Sequence, residues 1–330
     1  MSPPAKVRVA IVGASGETGQ SIVNGLLNDP DTVFDITALT RPQSLKKPVN
    51  VELQARGVRV VAADLNGPQE ALVNVLSGMD VVISAIFFGS LGDERPLAEA
   101  SKKAGVKRFL QSAFMIVVPP RGVVDFREQK EDNLNFIQKL RLPYTYVDAG
   151  WWYQITLPRL PSGRFDYVLP SSQPESPIGL DGNVPSALAD IRDVGRYVAK
   201  IITDPRTLNK RVHVYNEVLT RNQVYEKIES VAGEQLPRNY VSEDEVLARI
   251  ENARTSVNQN PSDLGAVGAL TTTQLFYSWG IRGDNTPEYA QYLGYLDGKG
   301  LYPDFEFRKF EDYIKEVLDG KAVGVYQGDS

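Results

Sequence analysis

The chain has 330 residues, enough for about two domains at roughly 150 residues each. Its 36 Lys and Arg against 41 Asp and Glu leave a net charge of −5, which argues against a nucleic-acid binder and provides no polybasic handle for an anionic membrane. With no Cys and a single His, disulfides, thiolate nucleophiles, zinc fingers, iron–sulfur clusters and multi-histidine metal sites are excluded.

The remaining histidine, His213, has no G-x-S-x-G elbow to complete a Ser/His/Asp arrangement. The start, Met1-Ser2-Pro3-Pro4-Ala5-Lys6, lacks the apolar core of a signal peptide, and no run of about 18 apolar residues occurs. A soluble, cytoplasmic, metal-free protein is expected, monomeric or homodimeric, with no nucleic-acid or membrane partner.

In chain order, residues 7–12 (VRVAIV) predict a buried strand and 16–28 a helix. Further strands are predicted at 34–40, 58–63, 81–85, 108–111 and 144–147, with helices at 68–77, 93–104 and 128–140. Strands separated by helices of this length mean βαβ units and a parallel sheet. After Gly150 the texture changes. Trp151-Trp152-Tyr153 leads into a Pro/Gly/Ser-rich stretch, 158–182, containing Pro158, Pro161, Pro170, Pro174 and Pro177, which predicts extended loops with short strands. Helical patterns return at 190–204, 221–232, 242–253 and 310–318. The expected architecture is α/β: a doubly wound parallel (Rossmann) sheet over residues 1–154, then a smaller α+β substrate-binding region over 155–330 with some elements rejoining the sheet.

The first strand runs into Gly13-Ala14-Ser15-Gly16-Glu17-Thr18-Gly19, a G-x-x-G-x-x-G spacing that opens a helix. The first Gly makes a tight turn, the second admits a pyrophosphate against the backbone, and the third lets helix and strand pack closely. The nucleotide preference is read at the end of the second strand. An NAD site places a carboxylate there, whereas this chain has Thr40-Arg41 with Lys46 and Lys47 close behind, cations suited to a 2′-phosphate. NADP(H) is therefore expected. Asp64 reads either as an adenine contact or as an N-cap. Ala85, Ile86 and Phe87, after the fourth strand, and Ser112, after the fifth, fall where backbone passes the pyrophosphate and nicotinamide ribose.

On the helix ending at Leu140, Phe126, Lys130, Leu134 and Ile137 share one apolar face, with Arg127, Glu128, Glu131 and Asp132 largely away from it. A lysine on a buried stripe is either a snorkelling side chain or a group held for acid/base chemistry. The Tyr-x-x-x-Lys pair of ordinary short-chain dehydrogenases is replaced by Phe126-Arg127-Glu128-Gln129-Lys130, and phenylalanine has no proton to give.

Taken together, VRVAIVGASGETGQ at 7–20, AGVKRFLQSAF at 104–114, Lys130 ahead of PYTYVDAGWWYQ at 143–154, and DPRTLNKRVHVYN at 204–216 resemble the isoflavone reductase-like and NmrA-like group of atypical short-chain dehydrogenases. The resemblance covers most of the chain and is diffuse beyond about residue 235. It implies an NADPH-binding Rossmann domain, a smaller substrate domain, and a place in secondary metabolism. It also implies hydride transfer to an enone or benzylic carbon of a small aromatic or polyketide-like molecule, with Lys130 as proton donor and acceptor. Two departures stand out: where the family often has Ser-Glu-Phe-Gly, this chain has Ser112-Ala113-Phe114-Met115. The regulator branch of the family senses dinucleotide without chemistry, and a dehydratase, isomerase or cyclase on the same fold is a further alternative.

Phe88, Phe114, Met115, Trp151, Trp152 and Tyr153 follow predicted strands, where an open parallel sheet binds ligands, and form the candidate aromatic substrate pocket. Trp151 and Trp152 read equally well as core. Phe276, Tyr277 and Trp279 are candidates to close that pocket. His213, in an alternating Arg211–Tyr215 pattern, reads as a satisfied structural residue.

Overall fold

The computed structural model describes residues 6–170 and 176–327, so Pro174 and the first five residues lie outside the described part. The elements begin β1 Val7–Val12, α1 Glu17–Leu27, β2 Phe34–Thr40, α2 Pro48–Ala55, β3 Arg59–Ala62, α3 Gln69–Leu76, β4 Val81–Ser84, α4 Glu94–Lys103, β5 Arg108–Leu110, α5 Asp125–Lys139 and β6 Tyr144–Ala149. They continue with β7 Trp151–Trp152, β8 Ile178–Gly179, β9 Pro185–Ala189, α6 Ile191–Thr203, β10 Lys210–Val214, β11 Glu217–Thr220, α7 Arg221–Ala232 and β12 Tyr240–Val241. The remainder is α8 Glu243–Gln259, α9 Leu264–Phe276, α10 Pro287–Tyr292, β13 Tyr295–Asp297, α11 Gly298–Leu301 and α12 Phe310–Leu318.

These elements form two compact units, neither of them continuous in sequence. The first comprises Met1–Phe114, Gln129–Asp148 and Arg192–Val212, and the second Met115–Glu128, Ala149–Ile191 and His213–Ser330. This corrects a single boundary at residue 154. The apolar segments after β5 and after β6 leave the first unit early, while α6 and most of β10 return to it.

The first unit is built on the sheet order β10-β6-β5-β4-β1-β2-β3. Parallel registers bring the carboxyl end of β1 between its neighbours: Val12 is opposite Leu39 on one side and Ser84 on the other. From β1 the chain winds to β2 and β3, then crosses to β4 on the far side of β1. The switch point of the doubly wound sheet therefore lies between β1 and β4, where such folds bind their ligands. Residues Val9 to Ile11 and Val82 to Ile83 are fully buried, as expected of strands covered on both faces. Helix α1 packs tightly on α6. A Cβ on Gly25 would lie 2.2 Å from the Gly195 carbonyl oxygen, and one on Gly195 would lie 1.9 Å from that of Ser21.

The second unit has its own core, in which Tyr153, Phe165, Tyr225, Phe310 and Ile314 are essentially inaccessible. Its small sheet pairs β9 antiparallel with β11 and parallel with β7. The proline-rich stretch contributes Leu160, Phe165, Val168 and Leu169 to this core. Composition predicted loops with short strands there, and β8 is one such strand, but the prolines interrupt any period that would reveal the buried positions. Among the described residues, no helix is long and apolar enough to cross a membrane.

Candidate functional site

The glycine loop is shaped by backbone crowding. Gly13 adopts φ +81°, and a Cβ there would sit 2.1 Å from the Ala85 carbonyl oxygen. Gly19 is equally confined, its Cβ position 2.0 Å from the Gly13 carbonyl oxygen. Gly16 differs: the nearest atom to a Cβ would be 3.6 Å away, so packing within the chain does not demand glycine there. Ser15 and Gly16 are exposed and Glu17 and Thr18 half-exposed at the amino-terminal end of α1. Unpaired amides at a helix N-terminus suit an anion. Gln20, which the sequence reading passed over, buttresses the turn by donating Nε2 to the Ser15 carbonyl at 2.9 Å.

Arg41 follows β2 directly, and the Val12–Leu39 register sets it beside the glycine loop. Arg41, Lys46 and Lys47 are exposed, and no hydrogen bond or ion pair from their side chains occurs among the described residues. Their loop is held by buried Asn50 on α2, whose Nδ2 reaches the Ser44 carbonyl at 2.6 Å and Thr40 Oγ1 at 3.3 Å. Asn50 was not foreseen, since α2 is too short and too weakly periodic to be predicted. Asp64 accepts the Asn66 amide at 3.0 Å and so closes its own turn, but it does not cap the next helix, whose N-cap is Pro68.

The ends of β4 and β5 continue the site. Ala85 lies against Gly13, Ser112 Oγ donates to the Ile86 carbonyl at 3.2 Å, and Phe87 is 57% exposed beside half-buried Phe88. At Phe114 the backbone takes φ +45°, a conformation uncommon for a bulky residue, which marks local strain of about 1–3 kcal/mol. Lys130, 4% exposed, donates Nζ to the Ser112 carbonyl at 2.5 Å and the Ala113 carbonyl at 2.8 Å. It does not snorkel. Leu134 and Ile137 share its buried face as expected, with Phe126 half-buried.

Glu94, at the start of α4, is a second buried charge at this place. It is 1% exposed and accepts the Ser112 amide at 2.7 Å and Asn133 Nδ2 at 3.0 Å. Burial pushes its carboxyl up from the ordinary range, against the Ser112 amide and the Lys130 charge, which draw it down. Sequence reasoning missed Glu94 because an acid in a first helical turn is common and is usually solvated.

Arg127, set off the Lys130 face, is fully buried and donates to the Tyr295 hydroxyl. The helical spacing that carries Lys130 inward puts Arg127 on a second covered face. The expectation of a satisfied His213 is corrected: it is buried and stacks on Tyr215 at 5.0 Å, but neither ring nitrogen finds a partner among the described residues. Burial lowers its pKa from 6.5 to about 4.

The second unit gathers part of the predicted aromatic set. Met115, Phe126, Trp151 and Trp279 pack on one apolar cluster, with Trp151 and Trp279 rings 5.6 Å apart and Phe276 edge-on to Trp279. Trp152 is 9% exposed and stacks on Tyr326. Tyr153 departs from the pocket assignment: it is inaccessible, packed against Phe310 and Tyr313, with its hydroxyl donating to Glu217 at 2.7 Å. The alternation that follows β7 turns this ring into the core.

A doubly wound sheet carrying a glycine turn at its switch point is the Rossmann architecture of dinucleotide-binding proteins. The NmrA-like family model matches residues 5–314, and the chain belongs to that family. It is 57% identical to asnovolin J 5′,6′-dehydrogenase of Aspergillus novofumigatus over 314 residues, 95% of this chain and 96% of that protein. Among solved structures it resembles isoflavone reductase (TM-score 0.75, 27% identity, 94% and 99% of the two chains). It also resembles the leucoanthocyanidin reductase–NADPH complex of Vitis vinifera (TM-score 0.73, 26% identity, 94% and 99%).

Proposed function

We propose that this protein is an NADP(H)-dependent oxidoreductase that moves a hydride to an enone or benzylic carbon of a small aromatic or polyketide-like molecule. The observation that carries this reading is Lys130, a buried ammonium held by two backbone carbonyls at the carboxyl end of the sheet. NADP(H) fits the residues present. The open Cβ position at Gly16 leaves room for a pyrophosphate against backbone, and the unpartnered cations Arg41 and Lys46 suit a 2′-phosphate. Ala85, Ile86, Phe87 and Ser112 would border the remainder. When bound, the cofactor supplies or accepts the hydride.

Lys130 handles the accompanying proton. As an ammonium it donates a proton from Nζ to the substrate position that gains electron density, and its carbonyl partners fix where that proton points. General acid assistance of this kind contributes about 10²–10⁴-fold. No tyrosine is needed, which agrees with Phe126. Phe88 and Phe114, which lie in the same unit as Lys130, are the proposed substrate contacts.

The dehydrogenase relative favours a second reading in which the same groups run in reverse. Two hydrogens then leave adjacent carbons, the hydride to oxidised cofactor and the proton to deprotonated Lys130. The test is parallel incubation of purified protein with asnovolin J plus NADP⁺ and with an isoflavone plus NADPH, read by product mass. Loss of two hydrogens in the first, or gain of two in the second, supports an oxidoreductase and gives its direction. Isomeric products without a change in cofactor absorbance would sink both readings.

A further inference from the structure

Glu94 lies outside every role assigned so far, yet it touches both pieces of chain that Lys130 joins. One oxygen accepts the Ser112 amide at 2.7 Å, and the other accepts Nδ2 of Asn133 at 3.0 Å, one helical turn beyond Lys130 on α5. Lys130 in turn holds the Ser112 and Ala113 carbonyls through Nζ, and its own carbonyl accepts Gln111 Nε2 at 2.7 Å. The remaining contacts lock this arrangement. Asn133 also donates to the Leu91 carbonyl at 2.9 Å and accepts Arg95 Nε at 3.0 Å, which leaves its amide in a single orientation.

Both Glu94 oxygens therefore face donors, which favour a carboxylate against the burial that pushes its carboxyl up. Position 113, an alanine, offers no charge of its own. A buried ammonium is costly without a nearby counter-charge, and Glu94, which feels the Lys130 charge, binds the same short peptide. The charged residues flanking Glu94 in sequence have partners of their own: Arg95 is bound to Asn133, and Asp93 Oδ1 accepts Asn66 Nδ2 at 2.9 Å.

We propose that Glu94 is the positioning residue of Lys130: its carboxylate sets the Ser112–Ala113 carbonyls that hold Nζ, and its charge keeps that amine protonated in a buried place. This rests on the reading of Lys130 as the proton-transfer group. Glu94 touches neither substrate nor cofactor in this scheme, so its loss reaches cofactor affinity only through Ser112 and should move it less than turnover.

The test reads the lysine directly. Protein labelled with ¹³C at lysine Cε is titrated by NMR without cofactor, the Lys130 signal being assigned by its loss in Lys130→Met. In Glu94→Gln the Lys130 midpoint should fall by about one unit or more, as expected on losing a charge several ångströms away in a poorly solvated place. In Glu94→Asp, which keeps the charge but shortens the reach, the midpoint should stay near wild type. In both variants kcat should fall about tenfold or more through misplacement, with the Kd for NADPH rising by less than that.

An unchanged Lys130 midpoint in Glu94→Gln would overturn the proposal, as would an equal fall in both variants. Should Glu94→Gln not fold, an undiminished kcat in Glu94→Asp would overturn it instead. Failure of the parent reading looks different: Lys130→Ala would then retain turnover, while the midpoint shift would persist.

Discussion

Glu94 and Lys130 grip the same residue from its two polar groups. The carboxylate accepts the Ser112 amide at 2.7 Å, and the ammonium donates to the Ser112 carbonyl at 2.5 Å. A peptide held so at both ends has little freedom, and the strained φ of Phe114 follows two residues later. Lys130 itself is the first residue to test. Lys130→Ala should lower turnover by about 10²-fold or more while leaving the Kd for NADPH within a few-fold. Steady-state kinetics beside calorimetry check this, and near-normal turnover would remove the proton-transfer role.

Arg41 should decide between the two nicotinamide cofactors. Arg41→Ala is expected to weaken NADPH binding by about 10-fold or more, from loss of a charge-assisted contact to a 2′-phosphate, with NADH little affected. Calorimetric titration with both cofactors separates the outcomes. Equal weakening of the two would make Arg41 a general loop residue rather than a phosphate reader.

The three loop glycines should not respond alike. Gly13→Ala and Gly19→Ala place a Cβ about 2 Å from a carbonyl oxygen, and each should destabilise the fold by about 2 kcal/mol or more. Gly16→Ala meets nothing closer than 3.6 Å and should unfold at nearly the wild-type temperature. Its defect should instead be weakened cofactor binding. Thermal melts with and without NADPH test the contrast, and a melting point for Gly16→Ala as low as that for Gly13→Ala would contradict it.

His213 should make the fold acid-sensitive. It is neutral in the folded protein, its pKa lowered by burial from 6.5 to about 4. An unfolded chain takes up a proton at this residue below about pH 6.5, and the folded chain does not until about pH 4. The contribution to stability is whole above the upper value and drains as pH falls toward the lower one, by about 3 kcal/mol in total. Urea unfolding of wild type and His213→Phe at pH 7 and pH 5 isolates it. Wild type should lose about 2 kcal/mol more than the variant over that interval.

Much of this was legible in the residues. The apolar run of β1 and the three glycines fix a strand, a turn and a helix start because each obeys a local rule that no distant contact can override. Lys130 stood out through helical spacing alone. Glu94 did not, since only the closeness of Ser112, eighteen positions on, distinguishes it from any acid at a helix start. The burial of Arg127 was hidden for a related reason: spacing reveals one covered face of a helix, and α5 has two. Tyr153 and the proline-rich stretch show the same limit. Their burial is set by partners such as Phe310, far along the chain.

The interleaved construction of the two units has a practical meaning for anyone who would take the molecule apart. No single cut yields either unit whole, because α5 changes unit between Glu128 and Gln129 and residues 192–212 return to the first. A fragment ending at residue 154 would lose α6, stripping the cover from Ser21 and Gly25 on α1, and would leave β6 as a raw sheet edge. Such a fragment should aggregate rather than bind nucleotide, and chimaeras between relatives would have to exchange several segments at once.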